Sequence, residues 1–166
     1  MSGKRQRYVL KKFDEILFRL LCWVCGILMF AMMGIIFSQV VARYGFHHSL
    51  TWSEEVGRYI FVWISFLGMA AAFKAGAHVA LDLLVKYLQG VSRKTLELVN
   101  SVLIVLLSSA ILYSGMKLFF LGMRQKSPAL KLPMHWVYIV VPVSGTILLY
   151  FAVRALWDCY LEKKKG

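Results

Sequence analysis

Charge is scarce in this chain of 166 residues: 17% of residues are charged, and eight Asp and Glu stand against 20 Lys and Arg. Soluble domains carry about 25% charged residues and about 45–50% apolar ones. With 60% hydrophobic residues, the composition excludes both a disordered chain and an ordinary water-soluble enzyme. Three cysteines are too few for a disulfide framework. Catalytic signatures are missing too, with no GxSxG, no phosphate-binding loop and no kinase element. No HxxxH, HExxH or Cys/His cluster is present, so no metal site is expected. There is no internal repeat and no linker longer than a loop.

Long uncharged runs occupy the space. Residues 20–42, 98–116 and 132–153 contain no Asp, Glu, Lys or Arg. A helix needs roughly 20 apolar residues to cross a bilayer core, so each run predicts a transmembrane helix. The run over 59–73 is shorter, but Thr51 and Glu54 form a capping-box pattern that starts its helix earlier. Its first two turns then hold Glu54, Glu55 and Arg58. The expectation is an all-α integral membrane protein with four spans, at about 20–42, 52–74, 97–117 and 132–154. Amphipathic stretches at about 8–19 and 78–89 predict cytoplasmic interfacial helices. In the first of these, Asp14 falls among the polar residues with Lys11, Lys12, Glu15 and Arg19. Pro133 falls in the first turn of the fourth span, and Pro142 in its interior predicts a kink.

The basic excess becomes a topology signal once placed on the chain. Six cations precede the first span, four lie in the second connection and four in the tail, against two and four in the other connections. Fourteen against six predicts both termini in the cytoplasm and gives nucleic acid no role. The N-terminal basic stretch leads into a span too long for a cleaved signal, so a retained anchor is expected.

Three sets of residues invite a functional reading. Cys22 and Cys25 form a CxxC that would serve a small membrane redox protein, or would simply pack in an apolar helix. His47, His48, His78 and His135 show no converging spacing. The segment from Arg43 to Tyr59 gathers Arg43, Tyr44, Trp52, Glu54, Glu55 and Arg58 in one short hairpin. This cluster reads either as a partner-docking or helix-clamping site, with Glu54–Arg58 or Glu55–Arg43 as pairs, or as a solvated helix end. The first, third and fourth runs carry no charge near their centres, unlike a self-sufficient ion-coupled carrier. A self-assembling four-helix transporter is the remaining alternative, although a multidrug exporter of that kind would want a glutamate within its first span.

Arg43-Tyr44, Trp52-Ser53-Glu54-Glu55, Arg58-Tyr59, Trp63, Gly68, His78-Val79 and Asp82, followed by Ser127-Pro128-Ala129-Leu130, Leu132-Pro133, Trp136 and Pro142, carry a resemblance. The chain resembles the DctQ-type small membrane subunit of tripartite ATP-independent periplasmic (TRAP) transporters. The resemblance implies a non-catalytic scaffold subunit in the bacterial inner membrane. It would pair with a large DctM-type subunit that moves an organic acid, such as a sialic acid or C4-dicarboxylate, with sodium. A periplasmic binding protein would deliver the substrate. No cofactor is implied for this chain, since the sodium sites belong to the large subunit. The resemblance also makes Trp52, Glu54, Glu55 and Arg58 structural or docking positions, while His78 and Asp82 would fix the turn after the second span.

Overall fold

The computed structural model describes residues 2–45, 51–76 and 93–163. They form three long helices, α1 (Ser2–Gly45), α2 (Thr51–Gly76) and α3 (Arg93–Gly122), then a short α4 (His135–Tyr138) and a final α5 (Val140–Lys163). Four stretches are long and apolar enough to cross a membrane: Lys12–Gly45, Thr51–Gly76, Val99–Gly122 and His135–Trp157. The expected four-span, all-helical architecture is what the described residues adopt. The segment expected to form an interfacial helix over 78–89 lies outside them.

Residues 8–19 are not set apart from the first span. They are the opening turns of α1, which runs 44 residues without a break, about 66 Å at 1.5 Å per residue. One stripe of α1 is covered: Asp14, Phe18, Leu21, Cys25, Leu28, Met32, Ile35, Gln39 and Ala42 are buried or half-buried. Their spacing alternates four and three, the 3.5-residue period of a helix that keeps one seam against a neighbour. That neighbour is α2. The other faces of α1 remain open and apolar, with Trp23, Phe30 and Phe37 all more than two-thirds exposed.

Helix α5 is the centre of the bundle. Half of its apolar window is buried, against 6% for that of α1. It packs on α3 and α2, around a core of Leu21, Leu67, Ala70, Ala71, Val140, Val141 and Phe151. Glycines bring α3 and α5 together. A β-carbon on Gly115 would stand 2.8 Å from the Pro142 nitrogen, and one on Gly145 would stand 3.1 Å from the Leu112 nitrogen. Three residues up α3 match three residues down α5, the register of an antiparallel pair joined through small residues.

Pro142, expected in the interior of the fourth span, sits next to an interruption of that span. It lies in the first turn of α5, just after the break that separates α4 from α5 at Ile139. Its nitrogen bears no hydrogen, so the carbonyl of Tyr138 receives no helical bond from it. Ile139 itself keeps helical angles, φ −57° and ψ −27°. Pro133, expected in the first turn of the fourth helix, instead precedes it and forms an isolated antiparallel bridge with Lys126.

Candidate functional site

Two carboxylates are buried among the described residues, Glu55 near the start of α2 and Asp14 near the start of α1. They lie at opposite ends of the bundle, and each joins elements far apart in sequence.

Glu55 holds the connection between α3 and α4. That connection is pinched: Ser127 N–H donates to the Leu132 carbonyl at 2.9 Å, Lys131 N–H to the Ser127 carbonyl at 3.1 Å, and Met134 N–H to the Gln125 carbonyl at 3.0 Å. Leu132 N–H also donates to Ser127 Oγ at 3.3 Å. Lys131 takes the left-handed conformation, φ 55°, which closes the turn. Pro128 has no N–H to satisfy, and the next two amides would be orphaned as in the first turn of a helix. Glu55 Oε2 accepts both, from Ala129 N–H at 3.1 Å and Leu130 N–H at 2.9 Å. A carboxylate from another helix thus does what an N-cap side chain does locally. One turn along α2, the Tyr59 hydroxyl donates to Glu55 Oε1 and lies 3.4 Å from Met134 Sδ.

Asp14 fastens the other end. Its Oδ1 accepts from the Tyr150 hydroxyl at 2.7 Å, and its Oδ2 faces Arg154 Nη2 at 3.4 Å and Lys74 Nζ at 4.0 Å. Phe13 meets the Tyr150 ring edge-on at 5.9 Å, and the Lys74 ammonium stands 5.7 Å from the centre of the Phe151 ring. Helices α1, α2 and α5 therefore converge on one buried charge. The i,i+4 charge pattern around residue 14 reads as a solvated face, so Asp14 is absent from the sequence-derived site. The missed signal is the heptad stripe, which places Asp14 in line with Phe18, Leu21 and Cys25.

The structure redistributes the hairpin cluster. Glu54 is exposed and accepts from Gln39 Nε2 of α1 at 3.1 Å. Arg43 and Arg58 are exposed, and among the described residues neither pairs with an acid. The expected Glu54–Arg58 and Glu55–Arg43 pairs therefore do not form: Glu54 is bonded to Gln39, and backbone amides and a phenol fill the Glu55 carboxylate. Tyr44 and Trp52 are exposed, while Trp63 is half-buried against the core. His78 and Asp82 lie outside the described residues. Cys22 and Cys25 are unpaired thiols, the first exposed and the second half-buried. Among the described residues no group of three His, Cys, Asp or Glu is placed to hold a metal ion.

What this arrangement can do is hold helices together. Residues 32–161 match the family of the DctQ component of tripartite ATP-independent periplasmic transporters. A TRAP transporter small permease protein of Haemophilus influenzae is 29% identical over 80% of this chain and 83% of its own length. The C4-dicarboxylate TRAP transporter small permease protein of Rhodobacter capsulatus is 30% identical over 61% of this chain and 46% of its own. A sialic acid TRAP transporter permease of Haemophilus influenzae is 25% identical over 80% of this chain, which spans only 22% of that larger protein. With four membrane-crossing helices clamped at both ends by buried carboxylates, the chain belongs to the DctQ family: it is a non-enzymatic, multi-pass inner-membrane subunit of a TRAP transporter, working with a large membrane subunit and a periplasmic binding protein.

Proposed function

We propose that this chain is a static scaffold subunit of a sodium-coupled importer of organic acids, one that pairs with the large transport subunit and widens the platform against which it moves. The observation that carries this reading is the pair of buried carboxylate clamps. Glu55 fixes the α3–α4 connection to α2, and Asp14 fixes α1 to α5. A helix bundle locked at both ends, with glycine-mediated contact between α3 and α5, resists the sliding that a moving transport element needs. The apolar faces of α1 offer ample area to lipid and to a membrane partner.

Sialic acid and C4-dicarboxylates are the substrate classes we favour, after the names of two relatives. The cation distribution supports an orientation with both termini in the cytoplasm. The test is reconstitution in proteoliposomes with an imposed sodium gradient. The large subunit and the binding protein should take up labelled sialic acid or a C4-dicarboxylate only when this chain is included. Equal uptake without it refutes the scaffold role. The chain alone should show no flux.

A further inference from the structure

The Glu55 clamp changes the charge of the end of the bundle where it sits. That end carries Arg43, Arg58, Arg124, Lys126 and Lys131, all exposed. In the whole sequence only two acids, Glu54 and Glu55, belong to the two connections at this end. Glu55 is withdrawn into the interior, where it meets amides and a phenol rather than a cation. Glu54 stays exposed and bonded to Gln39. These five exposed cations, with Lys117 further back along α3 as an exposed sixth, thus face one exposed carboxylate, on the side where the positive-inside tendency disfavours Lys and Arg.

Three of the five cations ride on one braced loop. Arg124, Lys126 and Lys131 flank or lie within the segment pinned by Glu55, bridged at Lys126–Pro133 and turned at Lys131. Fluid lipid headgroups respond to net basic charge near the surface and need no fixed register. A folded partner gains from charges already held in place, because less freedom is lost on binding. Complementary charge also speeds encounter and excludes wrong partners.

We infer that Arg43, Arg58, Arg124, Lys126 and Lys131 form an electrostatic docking rim for an acidic face of the water-soluble binding protein. The inference rests on the proposed orientation, which puts this end outside the cytoplasm. It predicts that the binding protein approaches the small subunit and not the large one alone, and that ionic strength controls the encounter.

The experiment measures association of the binding protein with the complete membrane complex in nanodiscs by surface plasmon resonance. In wild type, the association rate should fall steeply between about 50 and about 500 mM salt as screening tightens. The triple variant Arg124→Gln/Lys126→Gln/Lys131→Gln should associate roughly tenfold more slowly at low salt and show a flattened salt dependence. The pair Arg43→Gln/Arg58→Gln should act in the same direction. Both variants should still copurify with the large subunit. Loss of copurification would assign these cations to subunit pairing and overturn the inference, while leaving the scaffold reading intact. A wild-type rate indifferent to salt overturns it whatever the variants do. Unchanged rates in assembled variants overturn it as well. A defect seen in phosphatidylglycerol nanodiscs but absent in pure phosphatidylcholine assigns the cations to lipid and overturns it.

Discussion

Glu55 and Asp14 solve the same difficulty with different partners. A carboxylate near a membrane must be hydrogen-bonded or paired, since an isolated buried charge is very unfavourable. Glu55 uses two backbone amides and a phenol, whereas Asp14 uses a phenol and two cations. Their substitutions should therefore fail in different ways. Glu55→Ala frees the Ala129 and Leu130 amides, and the loop should open to trypsin at Arg124, Lys126 and Lys131. We expect cleavage there to accelerate roughly tenfold or more, since proteolysis follows local opening. Glu55→Gln keeps one acceptor oxygen and should fall between. Equal cleavage in all three proteins would mean that the loop is held by its own bonds alone. Asp14→Asn keeps an acceptor for Tyr150 but takes from Lys74 and Arg154 the one acid that faces them among the described residues. Removing one member of a buried ion pair costs about 3–5 kcal/mol, so the thermal midpoint should drop clearly. A double-mutant cycle with Tyr150→Phe should show coupling, and strict additivity would deny that the two side chains act together.

At the scale of elements, the glycines separate contact from mere composition. Gly115→Leu should drive α3 away from Pro142 and destabilise the bundle by about 1–3 kcal/mol, the usual range for overpacking. Gly26, where an added β-carbon would meet nothing within 4 Å, should accept leucine within about 0.5 kcal/mol. Chemical or thermal unfolding in detergent distinguishes the two, and equal losses would refute the close α3–α5 approach. The spans themselves are legible in the sequence, because uncharged length is a property of composition. The Glu55 clamp is only half legible. Two acids beside two arginines mark the place, and Ser127-Pro128-Ala129-Leu130 stands out separately. The bonds that join them use main-chain amides, which leave no trace in residue identity. Asp14 is hidden for a different reason: adjacent charges of both signs imitate a solvated helix face, and only the tertiary seam shows which charge turns inward.

For the whole molecule, the consequence is a division of labour between core and surface. Helix α5 packs on α3 and on α2, and α1 joins α2 through a single stripe, tied at Asp14 and at Gln39–Glu54. Most of the first span is left to surroundings other than this chain. The termini should lie on one side of the membrane and the Glu55 loop on the other. Single cysteines at position 4 and at position 126, introduced after Cys22, Cys25 and Cys159 are replaced by serine, should label from opposite faces with a membrane-impermeant maleimide. Labelling of both from the same face would contradict the topology.

The separation of the clamp partners along the chain also has a meaning in time. Glu55 is synthesised 74 residues before Ala129, and Asp14 precedes Tyr150 by 136. The first two helices therefore enter the bilayer with two carboxylates still lacking their final partners, and both are satisfied only when the last third of the chain arrives. A nascent or truncated chain is marked by exposed negative charge until then. Completion of the bundle removes that mark from both ends, so the same bonds that hold the finished scaffold also distinguish it from every unfinished one.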